Sequence, residues 1–245
     1  MIKSINHLSN HYLQIKKEEL LELSKNTPKY YNTFIKKQVK PDGRVKRREI
    51  TEACGLLKRT HKLILKNVLQ KIDFPSPPFI GGLKKKDNIL NAYFHQGKPH
   101  KFCTDLKNFY PHINNKMVYK AFVNRGFSAD VSSILTKLTT NKGGLIQGGV
   151  NSTHIAYLTI WNTAQKLLEI CDKEEIVFTI YVDDMTFSSS HDFKELSLEL
   201  RDIIIEGGFF ESDHYEHLKF TGLNDKQKAG LEMYYERVVN YGRTK

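Results

Sequence analysis

The sequence predicts an α+β fold, a sheet with helices packed on one face. Three observations predict it. Residues 152–171 place Ile155, Leu158, Trp161, Ala164, Leu168 and Cys171 at three- and four-residue spacing, the period of a helix with one inward stripe. Two short runs at 176–182 and 185–189 read as strands flanking Asp183 and Asp184 in a hairpin. From residue 98 onward the elements run strand, helices, hairpin, helix, strand, which suits one mixed sheet-and-helix layer.

Taken in order, residues 8–25 read as a helix and 30–51 as two strands turning at Pro41, Asp42 and Gly43. Helix returns at 52–72. The stretch "FPSPPFIGGLKKKDN" (74–88) is rich in Pro and Gly and reads as loop, followed by a short helix at 88–95. "KPHKFCTDLKNFY" gives a strand running into Asp105. Helices are expected at 115–125 and 128–139, then the loop "NKGGLIQGG", the long helix and the hairpin. Phe193, Leu196, Leu200, Ile203 and Ile204 mark a last helix by the same periodicity, and Gly207 and Gly208 stop it.

With 245 residues and 40% hydrophobic content, the chain can bury a sizeable core in one large or two interleaved domains. Its 38 Lys and Arg outnumber 27 Asp and Glu for a net charge of +11, which favours a polyanion such as nucleic acid as partner over an acidic protein. Cys54, Cys103 and Cys171 are odd in number and far apart, so neither a disulfide framework nor a zinc knuckle is expected, and a reducing cytoplasm fits. No apolar run approaches the ~18 residues that span a bilayer, and the N-terminus lacks the apolar centre of a signal peptide, so no membrane partner is expected.

Asp183 and Asp184 pose a chemical question. Aspartate is common in turns, yet a two-residue hairpin turn needs positive φ and favours Asn-Gly or Asp-Gly, and "YVDD" contains no glycine. Adjacent ionised carboxylates repel one another, and a divalent cation is the common way to hold them at neutral pH. Asp105, at the end of another predicted strand, offers a third carboxylate. Two-metal phosphoryl transfer draws carboxylates from separate strands around cations about 3.5–4 Å apart.

Three stretches, "FCTDLKNFYPHI" (102–113), "GGLIQGGVNSTHIAYL" (143–158) and "YVDD" (181–184), resemble in that order the three central palm motifs of reverse transcriptases. "DGRVKRREI" (42–50) resembles the fingers motif that holds the triphosphate, and "FTGL" (220–223) the primer-grip region. "NAYFH" (91–95) is similar to the Asn-Ala-x-x-His signature of retron enzymes, and "FTG" to their Val-Thr-Gly. The resemblance covers roughly residues 30–225. It implies a right-hand polymerase fold, with fingers in 1–98 and part of 114–150, a palm with the catalytic sheet in 99–223, and a short thumb-like helix in 224–245, a truncated or vestigial thumb. It also implies RNA-directed DNA synthesis with two Mg²⁺ ions, on template RNA with a DNA primer and deoxynucleoside triphosphates, in the setting of phage defence.

The resemblance assigns roles residue by residue. Asp105, Asp183 and Asp184 match the catalytic, metal-binding carboxylates, and the backbone carbonyl of Leu106 is a further expected ligand. Tyr110 sits where the family places an aromatic under the sugar, which excludes a ribose 2′-OH. Arg44, Lys46 and Arg48 alternate along a predicted strand and share a face, with Arg48 and Lys46 matching the triphosphate-binding positions. Gln147 and Gly148 match the Gln-Gly pair beside the incoming nucleotide and template. Asn91, His95, Thr221 and Gly222 are candidate RNA or primer contacts.

Departures from the pattern are specific. Ile146 and Thr153 stand where prolines are usual, Val182 where bacterial members carry alanine, and Tyr215 where a lysine is expected, leaving Lys219 or His214 as substitutes for the general acid. His214 and His217 with Glu211 read as a solvated loop, because no further His or Cys completes a zinc site. With 23 residues after Gly222, a cognate noncoding RNA or partner protein is expected to complete the thumb. Two other readings stand beside this one: an abortive-infection-type polymerase with weakly templated or protein-primed synthesis, and a non-catalytic nucleic-acid-binding module.

Overall fold

The computed structural model describes residues 2–39, 43, 45–210 and 216–219, with Lys46 and 216–219 described by their backbone alone. The helix predicted at 8–25 divides. α1 (Ile5–His7) leads into a π-turn at Leu8–Leu13, and Gln14 at φ 52° breaks the path before α2 (Lys17–Lys25). Two strands follow, β1 (Tyr31–Val39) and β2 (Val45–Ala53), paired antiparallel from Tyr31 opposite Ala53 to Val39 opposite Val45. Because β2 continues to Ala53, the next helix starts later than 52, as α3 (Gly55–Asn67).

The Pro/Gly-rich stretch is loop, as predicted, and it runs along the four-stranded sheet described below. α4 (Asn88–Phe94) is capped by Asp87, whose carboxylate accepts from the Ile89 and Leu90 amides. β3 (His100–Asp105) leads through α5 (Phe109–His112) to α6 (Asn115–Asn124) and α7 (Ala129–Thr139), whose N-caps are Asn114 and Ser128. The segment at 140–149 contains a small hairpin, β4 (Thr140–Asn141) with β5 (Gly144–Leu145). α8 (Ser152–Lys173), β6 (Val177–Tyr181), β7 (Asp184–Ser189), α9 (Leu196–Glu206) and β8 (Glu216–Lys219) complete the order.

Four of these strands form one antiparallel sheet in the order β6-β7-β3-β8. Alternation along the strands separates its faces. Phe102, Phe178 and Phe187 lie on the inner face, where Phe187 stacks on Phe178 at 4.5 Å and on Phe102 at 5.6 Å. All three are almost fully buried, and truncating one to alanine would cost about 3–5 kcal/mol. α8 packs beside this core against β6, α6 and α9. Asp105, Cys103 and Lys101 of β3 share the other, more open face with Asp184, Thr186 and Ser188 of β7. The α+β expectation therefore holds, with α4 crossing part of the open face.

Candidate active site

Three carboxylates are brought together by strand register. Asp105, the last residue of β3, lies directly opposite Asp184, the first of β7, and Asp184 also pairs with Tyr181 of β6. Asp183 precedes it in the turn, and its carbonyl accepts from the Leu106 amide at 2.9 Å, tying the turn to the end of β3. One carboxylate oxygen from each of Asp105, Asp183 and Asp184 lies within 4.8 Å of the others. Like charges placed directly across a strand pair repel. Burial, then the charges of Asp183 and Asp105, pushes the Asp184 carboxyl up to about 6.

That donor set suits a hard divalent cation. It is all oxygen, compact, and destabilised by its own charge, which a cation would relieve. The turn itself differs from the sequence expectation by one residue. Its two central residues are Val182 and Asp183, not Asp183 and Asp184, and Val182 adopts φ 64°. This shift places Asp184 on a strand, facing the same side as Asp105.

A cleft of about 720 Å³ opens over the carboxylates. Asp105, Leu106 and Asp183 line its foot, Tyr110 one wall, and Arg48 of β2 with Gln147 of the cleft loop another. Tyr110 is largely buried, and its hydroxyl lies 2.9 Å from the Thr153 hydroxyl. Burial raises the Tyr110 pKa and the Asp183 charge adds to it, against the Thr153 bond, so the phenol stays protonated. Thr153 is thus the anchor of the cleft's aromatic wall. The Gln147 carbonyl accepts from the Thr51 amide at 2.9 Å and joins β2 to the cleft loop. Gly148, at φ 111°, is crowded by that same strand: a Cβ there would lie 2.7 Å from Ile50 Cγ2 and 3.1 Å from the Thr51 carbonyl.

No protein-family model matches the chain. Curated proteins do. The chain is 34% identical over 206 residues to the retron Se72 reverse transcriptase of Salmonella heidelberg (strain 579083-10), covering 84% of this chain and 52% of that protein. Over that stretch the chain is homologous to retron reverse transcriptases. It is also 29% identical over 160 residues to the retron Ec86 reverse transcriptase of Escherichia coli, covering 65% of this chain and 49% of that protein. The retron Ec48 reverse transcriptase of Escherichia coli matches at 26% over 165 residues, 62% of this chain and 40% of that protein. The chain spans about half the length, or less, of the curated relatives it matches.

The remaining predicted site residues fall elsewhere. His95 is buried, with Nδ1 2.6 Å from the Ser188 hydroxyl and Nε2 2.7 Å from that of Thr179. Both ring nitrogens of this candidate RNA or primer contact are used inside the fold, where the ring fastens α4 to the open face of the sheet. Ser188 is four residues along β7 from Asp184, about 13 Å at strand rise, so α4 sits beside the carboxylates rather than among them. Asn91 is half-buried on the same helix, its Oδ1 lacking a partner among the described residues. Arg44, His214, Tyr215, Thr221, Gly222 and the proposed thumb helix lie outside the described residues, as do the side chains of Lys46, His217 and Lys219.

Sequence reasoning missed Thr51, which lines the cleft with Arg47 and Arg48 of the basic "RVKRR" run. It also missed Tyr157, a fully buried side chain in α8. The buried stripe of α8 is wider than the periodicity predicts, since His154, Ile160, Thr163 and Leu167 are buried as well as Ile155, Leu158, Ala164 and Cys171, whereas Trp161 and Leu168 are half-buried. Among the described residues no helix is long and apolar enough to cross a membrane.

Proposed function

We propose that this chain supplies the fingers and palm of an RNA-directed DNA polymerase, which joins a primer 3′-hydroxyl to a deoxynucleoside triphosphate with release of pyrophosphate. The observation that carries the reading is the convergence of Asp105, Asp183 and Asp184, the first two at the foot of a cleft rimmed by Arg47, Arg48 and Lys142, in a chain related to retron reverse transcriptases. The three carboxylates, with the Leu106 carbonyl, would hold two Mg²⁺ ions. Bound there, such ions activate the attacking hydroxyl and stabilise charge on the leaving oxygen.

The protein's own groups do the rest. Arg48 and Lys46 hold the triphosphate by charge-assisted hydrogen bonds. Tyr110, anchored by Thr153, closes the space a 2′-hydroxyl would occupy. Gln147 and Gly148 set the β2 strand against the cleft loop and fix the wall beside the incoming nucleotide. The fingers correspond to 1–98 with part of 114–150, and the palm to 99–223. A structured RNA is the favoured template, given the net charge of +11 and the basic β1–β2 hairpin, and Thr221 and Gly222 are assigned to the primer side.

The test is primer extension on an RNA template with Mg²⁺ and deoxynucleotides. The parent extends the primer, and Asp183→Asn, matched to it in melting temperature, loses ~10²-fold or more of the rate. A folded Asp183→Asn protein that extends at the parent's rate overturns the assignment.

A further inference from the structure

We propose that Tyr157 is a positioning residue for the carboxylate-bearing turn, acting through its hydroxyl on the backbone of Val182. The inference rests on the polymerase reading of the site and adds the device that holds its turn in place. Val182 occupies the first central position of a two-residue hairpin turn at φ 64°, a place that glycine normally fills. A β-branched residue there is an outlier, and such conformations persist only where the surroundings over-determine them.

Two other segments converge on Val182. Its amide donates to the Tyr157 hydroxyl at 2.9 Å, and that hydroxyl donates to the Gly81 carbonyl at 2.8 Å, with the Ile180 carbonyl 3.2 Å away. Tyr157 has no room to move. It is fully buried, and its ring packs against Phe79 at 5.0 Å and Phe74 at 5.9 Å. From the other side Gly81 presses on the turn: a Cβ there would lie 2.7 Å from the Val182 nitrogen and 2.9 Å from Val182 Cγ2. The loop carrying Gly81 is itself fixed to β6, through the Ile80 amide on the Ile180 carbonyl at 3.0 Å and the Ile180 amide on the Pro78 carbonyl at 2.7 Å.

The consequence reaches the carboxylates by one covalent step. Asp183 follows Val182, and Asp184 follows in register with Asp105. A turn released from the Tyr157 hydroxyl would relax Val182 toward negative φ and carry both carboxylates away from Asp105. The stretch "FPSPPFIGG" thereby acquires a role: it is the outer jaw, α8 the inner one, and the tyrosine hydroxyl the link between them.

Tyr157→Phe removes the hydroxyl and keeps the ring. We expect kcat for primer extension to fall ~10–100-fold with KM for the deoxynucleotide little changed, and the melting temperature to move by no more than about 5 °C. The Val182 amide loses its protection from hydrogen exchange, a readout that needs no activity. Val182→Gly supplies a residue that takes positive φ freely, so Tyr157→Phe costs much less in that background than in the parent. Equal losses in both backgrounds, or parental kcat and amide protection in Tyr157→Phe, overturn the proposal. Protection lost in Tyr157→Phe with a parent that never extends a primer would uphold the clamp and overturn the polymerase reading instead.

Discussion

Tyr110 and Thr153 show how one hydroxyl can set a wall of a site. The phenol is held at 2.9 Å by a threonine that stands where the family pattern has proline, and proline has no hydroxyl to offer. If that bond orients the ring, Thr153→Val leaves the ring in place but free to swing, and discrimination between deoxy- and ribonucleotides falls. Tyr110→Val removes the ring and lowers discrimination further. The ratio of extension rates with the two nucleotide types measures both effects. An unchanged ratio in Thr153→Val would show that packing alone holds the ring. The three carboxylates were legible from the sequence, because the adjacent like charges in "YVDD" ask for a cation and the ordered motifs around them single out Asp105, which as a lone strand-end aspartate would be ordinary.

At the scale of elements, α4 is fastened to the sheet by His95, and this makes its docking sensitive to acid. Burial, then the charges of Lys101 and Lys98, lowers the His95 pKa to about 4 from an ordinary 6.5. In the unfolded chain the ring takes a proton near pH 6.5, while in the folded protein it resists protonation until about pH 4. The contribution to stability is present in full above pH 6.5 and is lost as pH falls from there to 4, by about 3 kcal/mol at most. Urea unfolding across that range should show the decline, and His95→Gln, which keeps a donor and an acceptor but no titrating ring, should show a shallower one. The same slope in both proteins would exclude His95 as its source. The strand and helix order was legible because periodicity is local, whereas the break at Gln14 and the extension of β2 to Ala53 depend on neighbours far away in sequence.

For the whole molecule, charge decides how it meets a partner. The β1–β2 hairpin carries Lys36, Lys37, Arg47 and Arg48 on exposed backbone, and the cleft rim adds Lys142 to a chain of net charge +11. Binding to an RNA–DNA duplex should therefore weaken steeply with salt, by roughly 10³-fold between 50 and 200 mM if about six phosphates are contacted. Fluorescence anisotropy with a labelled duplex measures the slope. A flat response would place the binding energy in contacts other than phosphate.

What the sequence determined by itself is the inventory: the α+β pattern, the ordered motifs, and the carboxylates at 105, 183 and 184. These are visible because strand alternation, helical period and an excess of like charge are properties of neighbouring residues. Tertiary structure alone decided which residues hold the inventory in place. Tyr157 and Gly81 are 76 positions apart, and nothing local to either announces that a hydroxyl will bridge them. Nor does the sequence around His95 announce that its ring will join α4 to Ser188 of β7 and Thr179 of β6. The Val182-Asp183 turn emerged only when Asp105 and Asp184 came into register, because a one-residue choice of turn decides which face of a strand every following side chain takes.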